Sequence, residues 1–250
     1  MKKKFSKPYQ SKTNSQGLIL YGRHAVLAAL ENPARKIHKL VCTSENAVSL
    51  RAKYPNLNII TADKKDIDKL VSADAVHQGF ALFCSELDNL SIEELCSMTE
   101  NEQKCNILIL DQVTDPQNIG AIIRSCAAFG TKALIVQDKN SPQESGSMAK
   151  AAAGTMEMVP VVRVTNLSRA IETLKKNGFW VVGMDGYAKD NVDKIDKNTK
   201  LAVIMGSEGA GMRRLVEESC DITVRLPINP KVESLNVSTA AAVVLYELSK

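Results

Sequence analysis

The chain has 250 residues, of which 44% are hydrophobic and 24% charged, and its formal net charge is +4. That length holds one large domain or two modest ones, and the composition supports the core of a soluble globular protein. No uninterrupted apolar run approaches membrane-spanning length, and the polar N-terminus has no apolar h-region, so a cytoplasmic protein without membrane attachment is expected.

The positive charge is local. Residues 1–16 carry Lys2, Lys3, Lys4, Lys7 and Lys12 and no acid, and without those lysines the remainder sums to −1. This segment reads as a disordered basic tail that either touches phosphates or merely solubilises. Six cysteines form no C-x-x-C pair, and three histidines show no ligand spacing, so neither a metal site nor a disulfide framework is expected. Reduced, buried thiols suit a cytoplasm. Spacing alone does not exclude a Cys–His nucleophile pair.

In chain order, residues 17–84 read as a small α/β unit. Leu18–Tyr21 is a short apolar entry, Gly22–Leu30 helical, and Lys36–Thr43 and Leu57–Thr61 strands with a helix between them. Asp63–Val71 is a second helical stretch, and Gly79–Cys84 a closing strand. Tyr21-Gly-Arg-His24 and His77-Gln-Gly79 are loops that could bind or simply turn. Residues 85–104 form a linker with one helix, announced by the capping-box spacing of Ser91 and Glu94.

From residue 105 the pattern becomes strand–helix–strand. Strands are expected at Asn106–Leu110, Ala133–Val136, Val159–Val164, Phe179–Gly183, Leu201–Met205 and Asp221–Leu226. Helices are expected at Asn118–Phe129, Gly146–Gly154, Asn166–Asn177 and from Asn236 onward. This alternation predicts an α/β fold with a parallel sheet, whose ligands sit beyond the carboxyl ends of the strands.

Three loops at those ends are candidates. In Asp115-Pro-Gln-Asn-Ile-Gly-Ala-Ile-Ile-Arg124, Ile119, Ile122, Ile123 and Cys126 form one stripe, and Arg124 lies off it. Arg124 is either a solvated surface arginine or a guanidinium suited to a phosphate or developing oxyanion. Met205-Gly-Ser-Glu-Gly-Ala-Gly-Met212 matches neither the Walker A loop nor G-x-G-x-x-G, and Glu208 in its middle argues against an anionic ligand. In the Pro-broken stretch Arg225–Ala242, Ser234 and Asn236 are either plain helix caps or functional groups.

Together these loops resemble the signatures of the SpoU (TrmH-like) RNA ribose 2′-O-methyltransferases of the SPOUT class. The resemblance rests on Asn118-Ile-Gly-Ala-Ile-Ile-Arg124, Ile204-Met-Gly-Ser-Glu-Gly209, and Leu226-Pro-Ile228 with Ser234-Leu-Asn-Val-Ser238, in matching order and spacing over residues 105–249. The N-terminal unit is similar to the substrate-binding domain of the subgroup that methylates a guanosine ribose in large-subunit ribosomal RNA. The resemblance implies an RNA-binding domain at 17–84 and a methyltransferase domain at 105–250 with a trefoil knot. It also implies S-adenosylmethionine as cofactor, RNA as partner and a homodimer.

It carries catalytic roles to Asn118, Arg124, Glu208, Ser234 and Asn236, and cofactor contacts to Gly206, Leu226, Ile228 and Leu235. Asn229-Pro-Lys231 is bulkier than the glycine-containing version usual in that family. Transfer RNA ribose methylation and a catalytically silent RNA-binding relative are the alternatives; an oxidoreductase lacks its dinucleotide fingerprint. If the basic tail contacts phosphates, deleting residues 1–16 will lower RNA affinity and flatten its salt dependence, and equal slopes in salt titrations of both chains will refute that contact.

Overall fold

The computed structural model describes residues 17–250, so the Lys-rich tail at 1–16 lies outside the described residues. The first unit runs β1 (Leu18–Tyr21), α1 (Arg23–Glu31), β2 (Ile37–Cys42), α2 (Ser44–Lys53), β3 (Ile59–Thr61), α3 (Lys64–Asp68) and β4 (Phe80–Cys84). Its sheet has the order β1-β4-β2-β3, with β4 antiparallel to both neighbours and β2 parallel to β3. The helix expected over Asp63–Val71 is shorter than expected and covers only α3.

After the linker helix α4 (Ile92–Met98) come β5 (Cys105–Leu110), α5 (Pro116–Ala128), β6 (Leu134–Gln137), α6 (Gly146–Ala152), β7 (Val161–Val164), α7 (Leu167–Lys176) and β8 (Phe179–Met184). β9 (Asp190–Asn191), β10 (Lys200–Met205), α8 (Arg214–Glu217), β11 (Ile222–Arg225) and α9 (Val237–Ser249) complete the chain. The capping box of Ser91 and Glu94 forms as expected. The two-residue β9 and the one-turn α8 are too short to leave a periodic signal and were not anticipated.

These strands make one seven-stranded, all-parallel sheet, β7-β6-β5-β10-β8-β11-β9. Parallel strands are covered on both faces, and their alternate side chains divide accordingly. Leu108, Leu110, Val203 and Met205 face the layer of α5, α6 and α9. Ile107, Ile109, Ala202 and Ile204 face the opposite core beside α4 and α7. One strand is placed unusually: β8 and β9 are joined by the short segment 185–189, yet the later strand β11 lies between them.

The two units share a core, since Leu20, Val26, Leu40 and Leu82 of the first belong to the same buried cluster as Leu108, Ile123 and Val136 of the second. α6 sits at the seam against β1. Two glycines allow that approach. A Cβ at Gly120 would collide with the Met148 carbonyl of α6, and one at Gly146 would meet Tyr21 and the Ile19 carbonyl.

Arg35 ties the seam. Its side chain is fully buried, with Nη1 2.7 Å from Glu144, 3.0 Å from the Ser85 carbonyl, and Nη2 2.5 Å from Glu157. Burial alone would lower its pKa, but the two carboxylates outweigh that and raise it. Arg35→Met will leave both carboxylates buried without their cation and cost about 3–5 kcal/mol in urea unfolding; a change below about 1 kcal/mol will refute the tie.

Candidate active site

The carboxyl ends of β5 and β10 are neighbours in the sheet, so the loops that leave them start side by side. α5 starts at Pro116, two residues before the position expected, because Asp115 caps it by accepting from the Gln117 N–H and Pro116 suits the first turn. Asn118 therefore lies within the first turn rather than at the cap. Its stripe partners Ile119, Ile122, Ile123 and Cys126 are buried as the spacing required, and Arg124 is exposed. At 1.5 Å per residue, Arg124 lies about 9 Å further along the helix than Asn118.

The glycine loop after β10 folds back on itself. Ser207 and Gly211 exchange backbone hydrogen bonds at 3.1 and 3.0 Å, and Gly209 and Gly211 take positive φ of 79° and 67°. At Gly206 a Cβ would strike the backbone of Gly211 and Met212. This tight return presents Glu208 outward. Its Oε1 accepts from Asn236 Nδ2 at 2.7 Å, from the Val237 N–H at 3.1 Å and, at a long 3.5 Å, from Asn118 Nδ2. Asn236 Nδ2 also donates to Asn118 Oδ1 at 3.0 Å.

Asn236 is at the same time an ordinary helix cap, accepting from the N–H groups of Ser238 and Thr239. The cap reading of this residue holds, and its amide reaches Asn118 and Glu208 as well. The structure does not draw every expected residue into this cluster. Ser234 is exposed on the loop before α9, and neither it nor Arg124 is hydrogen-bonded to the Asn118–Glu208–Asn236 group. Of the residues expected to touch cofactor, Leu226 and Leu235 are half-buried, and Ile228 is 37% exposed beyond the end of β11. The Asn229–Lys231 segment makes a turn, with Val232 N–H donating to the Asn229 carbonyl.

A model of the SpoU rRNA methylase family matches residues 106–246, and a model of the RNA 2′-O ribose methyltransferase substrate-binding domain matches residues 19–90. The chain belongs to the SpoU rRNA methylase family. It is 38% identical over 239 residues to a 23S rRNA (guanosine-2′-O-)-methyltransferase of Coxiella burnetii, covering 92% of this chain and 94% of that one. Its fold matches the SpoU methyltransferase AviRb of Streptomyces viridochromogenes, crystallised with AdoMet, at a TM-score of 0.79 and 21% identity over 94% of this chain and 90% of that one. An AdoMet-bound rRNA methyltransferase of Sinorhizobium meliloti aligns at a TM-score of 0.77 and 22% identity, over 94% and 87%.

Two residues that the motif reading passes over, Asp111 and Arg213, hold the glycine loop in place. Asp111, directly after β5, has a carboxylate 0% exposed, which accepts from the Arg213 N–H and Nε, both at 2.8 Å, with Nη2 2.7 Å away. Together with the Ser207–Gly211 return, it anchors the far end of the glycine loop. Gln112 follows with a positive φ of 61°, a strained state for a side-chain-bearing residue, and lines an open cleft of about 560 Å³ with Thr114 and Ser207. Burial pushes the Cys84, Cys126 and Cys220 thiols up to about 12, which removes them as thiolate nucleophiles near neutral pH.

The two roles of Asn236 separate by substitution. Asn236→Ser keeps a capping oxygen and loses the amide donor, whereas Asn236→Ala loses both. Chemical denaturation will place the Ala variant about 1 kcal/mol below the Ser variant, and equal stability would show that the cap contributes nothing.

Proposed function

We propose that this chain transfers a methyl group from S-adenosylmethionine to a ribose 2′-hydroxyl of RNA, and that its substrate is a guanosine of large-subunit ribosomal RNA. The observation that carries the reading is the meeting of Asn118, Glu208 and Asn236, from three distant loops, at the carboxyl edge of the sheet. The substrate class follows from the 38% identity with the 23S rRNA methyltransferase and from the substrate-binding domain at 19–90.

The site fits the cofactor chemically. Its candidate wall is the half-buried Leu226 and Leu235 with the uncovered Ile228, apolar surface suited to a nucleoside face, beside a glycine loop that allows close backbone approach. When bound, the cofactor supplies an electrophilic sulfonium methyl. The protein must align a sugar oxygen with that carbon and stabilise the charge that grows on the oxygen. Arg124 takes the second role: its guanidinium is charged, exposed and has no acceptor atom, so it steadies an alkoxide or a phosphate rather than removing a proton as a base. Ser234 orients the ribose. Asn236 and Asn118, fixed by Glu208, hold the first turns of α9 and α5 in place around it.

The same reading includes a trefoil knot, supported by the insertion of β11 between β8 and β9 ahead of α9. It divides the chain into a basic tail at 1–16, an RNA-binding domain at 17–84, a linker at 85–104 and a methyltransferase domain at 105–250. It places the protein in the cytoplasm, in keeping with a ribosomal substrate and six free thiols. It also makes the protein a homodimer. Val243 and Tyr246 of α9 are 43% and 53% exposed, and Tyr246 packs on Phe129, forming an uncovered apolar face beside α5 and its Arg124.

Arg124→Ala will abolish methyl transfer in single-turnover assays with labelled cofactor and leave cofactor affinity intact, with Arg124→Lys partly restoring the rate; retained turnover in the Ala variant sinks the assignment. Replacing Val243 and Tyr246 together by Glu will convert the protein to a monomer in sedimentation experiments, and an unchanged sedimentation coefficient removes this face from the interface.

A further inference from the structure

The open cleft of about 560 Å³ beside the glycine loop is bordered by Gln112, Thr114 and Ser207, and by Lys139 and Asn140 of the helical turn after β6. Ser141 and Pro142 border it too, and also a cavity of about 280 Å³ at the seam of the two units. No carboxylate lines the cleft among the described residues. The acids next to its lining residues in the chain are turned to other partners. Asp111 takes Arg213, Asp115 the Gln117 N–H, Asp138 lies 3.9 Å from Arg163, and Glu208 takes Asn236.

The donors on this wall are uncommitted. Lys139 is exposed and forms no ion pair among the described residues. The side chains of Gln112, half-buried, and Thr114, exposed, make no hydrogen bond among them. Gln112 holds its φ of 61°, a state that glycine reaches freely and a residue with a side chain reaches only at a cost. That backbone puts an amide on the cleft wall.

The cleft starts where the candidate site ends. Ser207 directly precedes Glu208, and Thr114 directly precedes Asp115, the cap of the helix whose first turn carries Asn118. An RNA strand does not stop at one sugar; its backbone runs on in both directions. Pockets for small ligands enclose them between mostly apolar walls. An open groove with donors, a cation and no acid instead suits a phosphate backbone.

We propose that this cleft seats a phosphodiester of the RNA strand next to the nucleotide whose ribose is methylated. Lys139 supplies the charge, and Gln112 and Thr114 donate hydrogen bonds to the phosphate oxygens. The proposal rests on the methyltransferase reading and adds residues from outside the three motif loops. It assigns them to holding the strand, not to the base, the methylated sugar or the cofactor.

The test measures binding of the full chain to ribosomal RNA from cells lacking the modification, across a range of salt concentrations. Lys139→Gln is expected to weaken binding about fivefold or more at low salt and to reduce the slope of log affinity against log salt by about 0.7–0.9. Gln112→Gly is expected to weaken binding about threefold or more with the slope unchanged, because a neutral donor releases no counterion, and without lowering the melting temperature, because glycine suits the positive φ. Cofactor affinity stays within about twofold of the parent in both variants. The control is Lys176→Gln, an exposed lysine at the end of α7 on the opposite edge of the sheet, which leaves RNA affinity and slope as they are.

The proposal falls if either cleft variant binds RNA with the parent's affinity, or if Lys176→Gln flattens the slope as much as Lys139→Gln does. A parent that binds and methylates ribosomal RNA with indifferent cleft variants sinks the phosphate seat alone. A parent that methylates no RNA sinks the methyltransferase reading itself.

Discussion

A single carboxylate oxygen, Glu208 Oε1, is the point on which the site depends. It collects the Asn236 amide, the Val237 N–H and, more distantly, the Asn118 amide, and so joins the starts of α5 and α9 to the glycine loop. Hydrogen bonds to an ionised acceptor are shorter and stronger than neutral ones, which suits a junction that is exposed to water. The loop is held from its other side by Asp111, whose buried charge is matched by Arg213. Two acids thus pin one flexible segment, the outward one defining the site and the inward one fixing the geometry that presents it.

This arrangement is only as rigid as the layer beneath it. Glycine at 120 and 146 lets α6 press against α5 on one side and β1 on the other, so the first unit shares a core with the second instead of hanging from a linker. Arg35 then replaces water with two carboxylates and a carbonyl at the seam. Such a buried pair adds little net stability over an apolar contact, yet it tolerates few alternative geometries, which favours one docking of the units. A substrate-binding unit docked in one orientation can present RNA to a sheet edge at a defined distance.

Much of the fold around the candidate site was legible in the chain itself. The apolar stripe of α5 and the periodic Val237, Ala241, Val244, Leu245 and Leu248 of α9 are buried as their spacing required, because helical periodicity is a local property. The boundary at Asn118 was misplaced since Asp115 and Pro116 together make a better helix start than the asparagine. Asp111 and Gln112 went unnoticed because their importance lies in a distant arginine and a strained φ, neither of which has a local signature.

The sequence by itself determined the kinds of element, their order, the three glycine- or proline-broken loops and, through those loops, the family. Only the tertiary structure decided that Asn118, Glu208 and Asn236 share hydrogen bonds, that β11 lies between β8 and β9, and that a cavity lies at the seam of the two units. The physical reason is separation. Asn118 and Asn236 are 118 positions apart, and what brings them together is strand order, which depends on how alternate faces of every strand are buried rather than on any one stretch of chain.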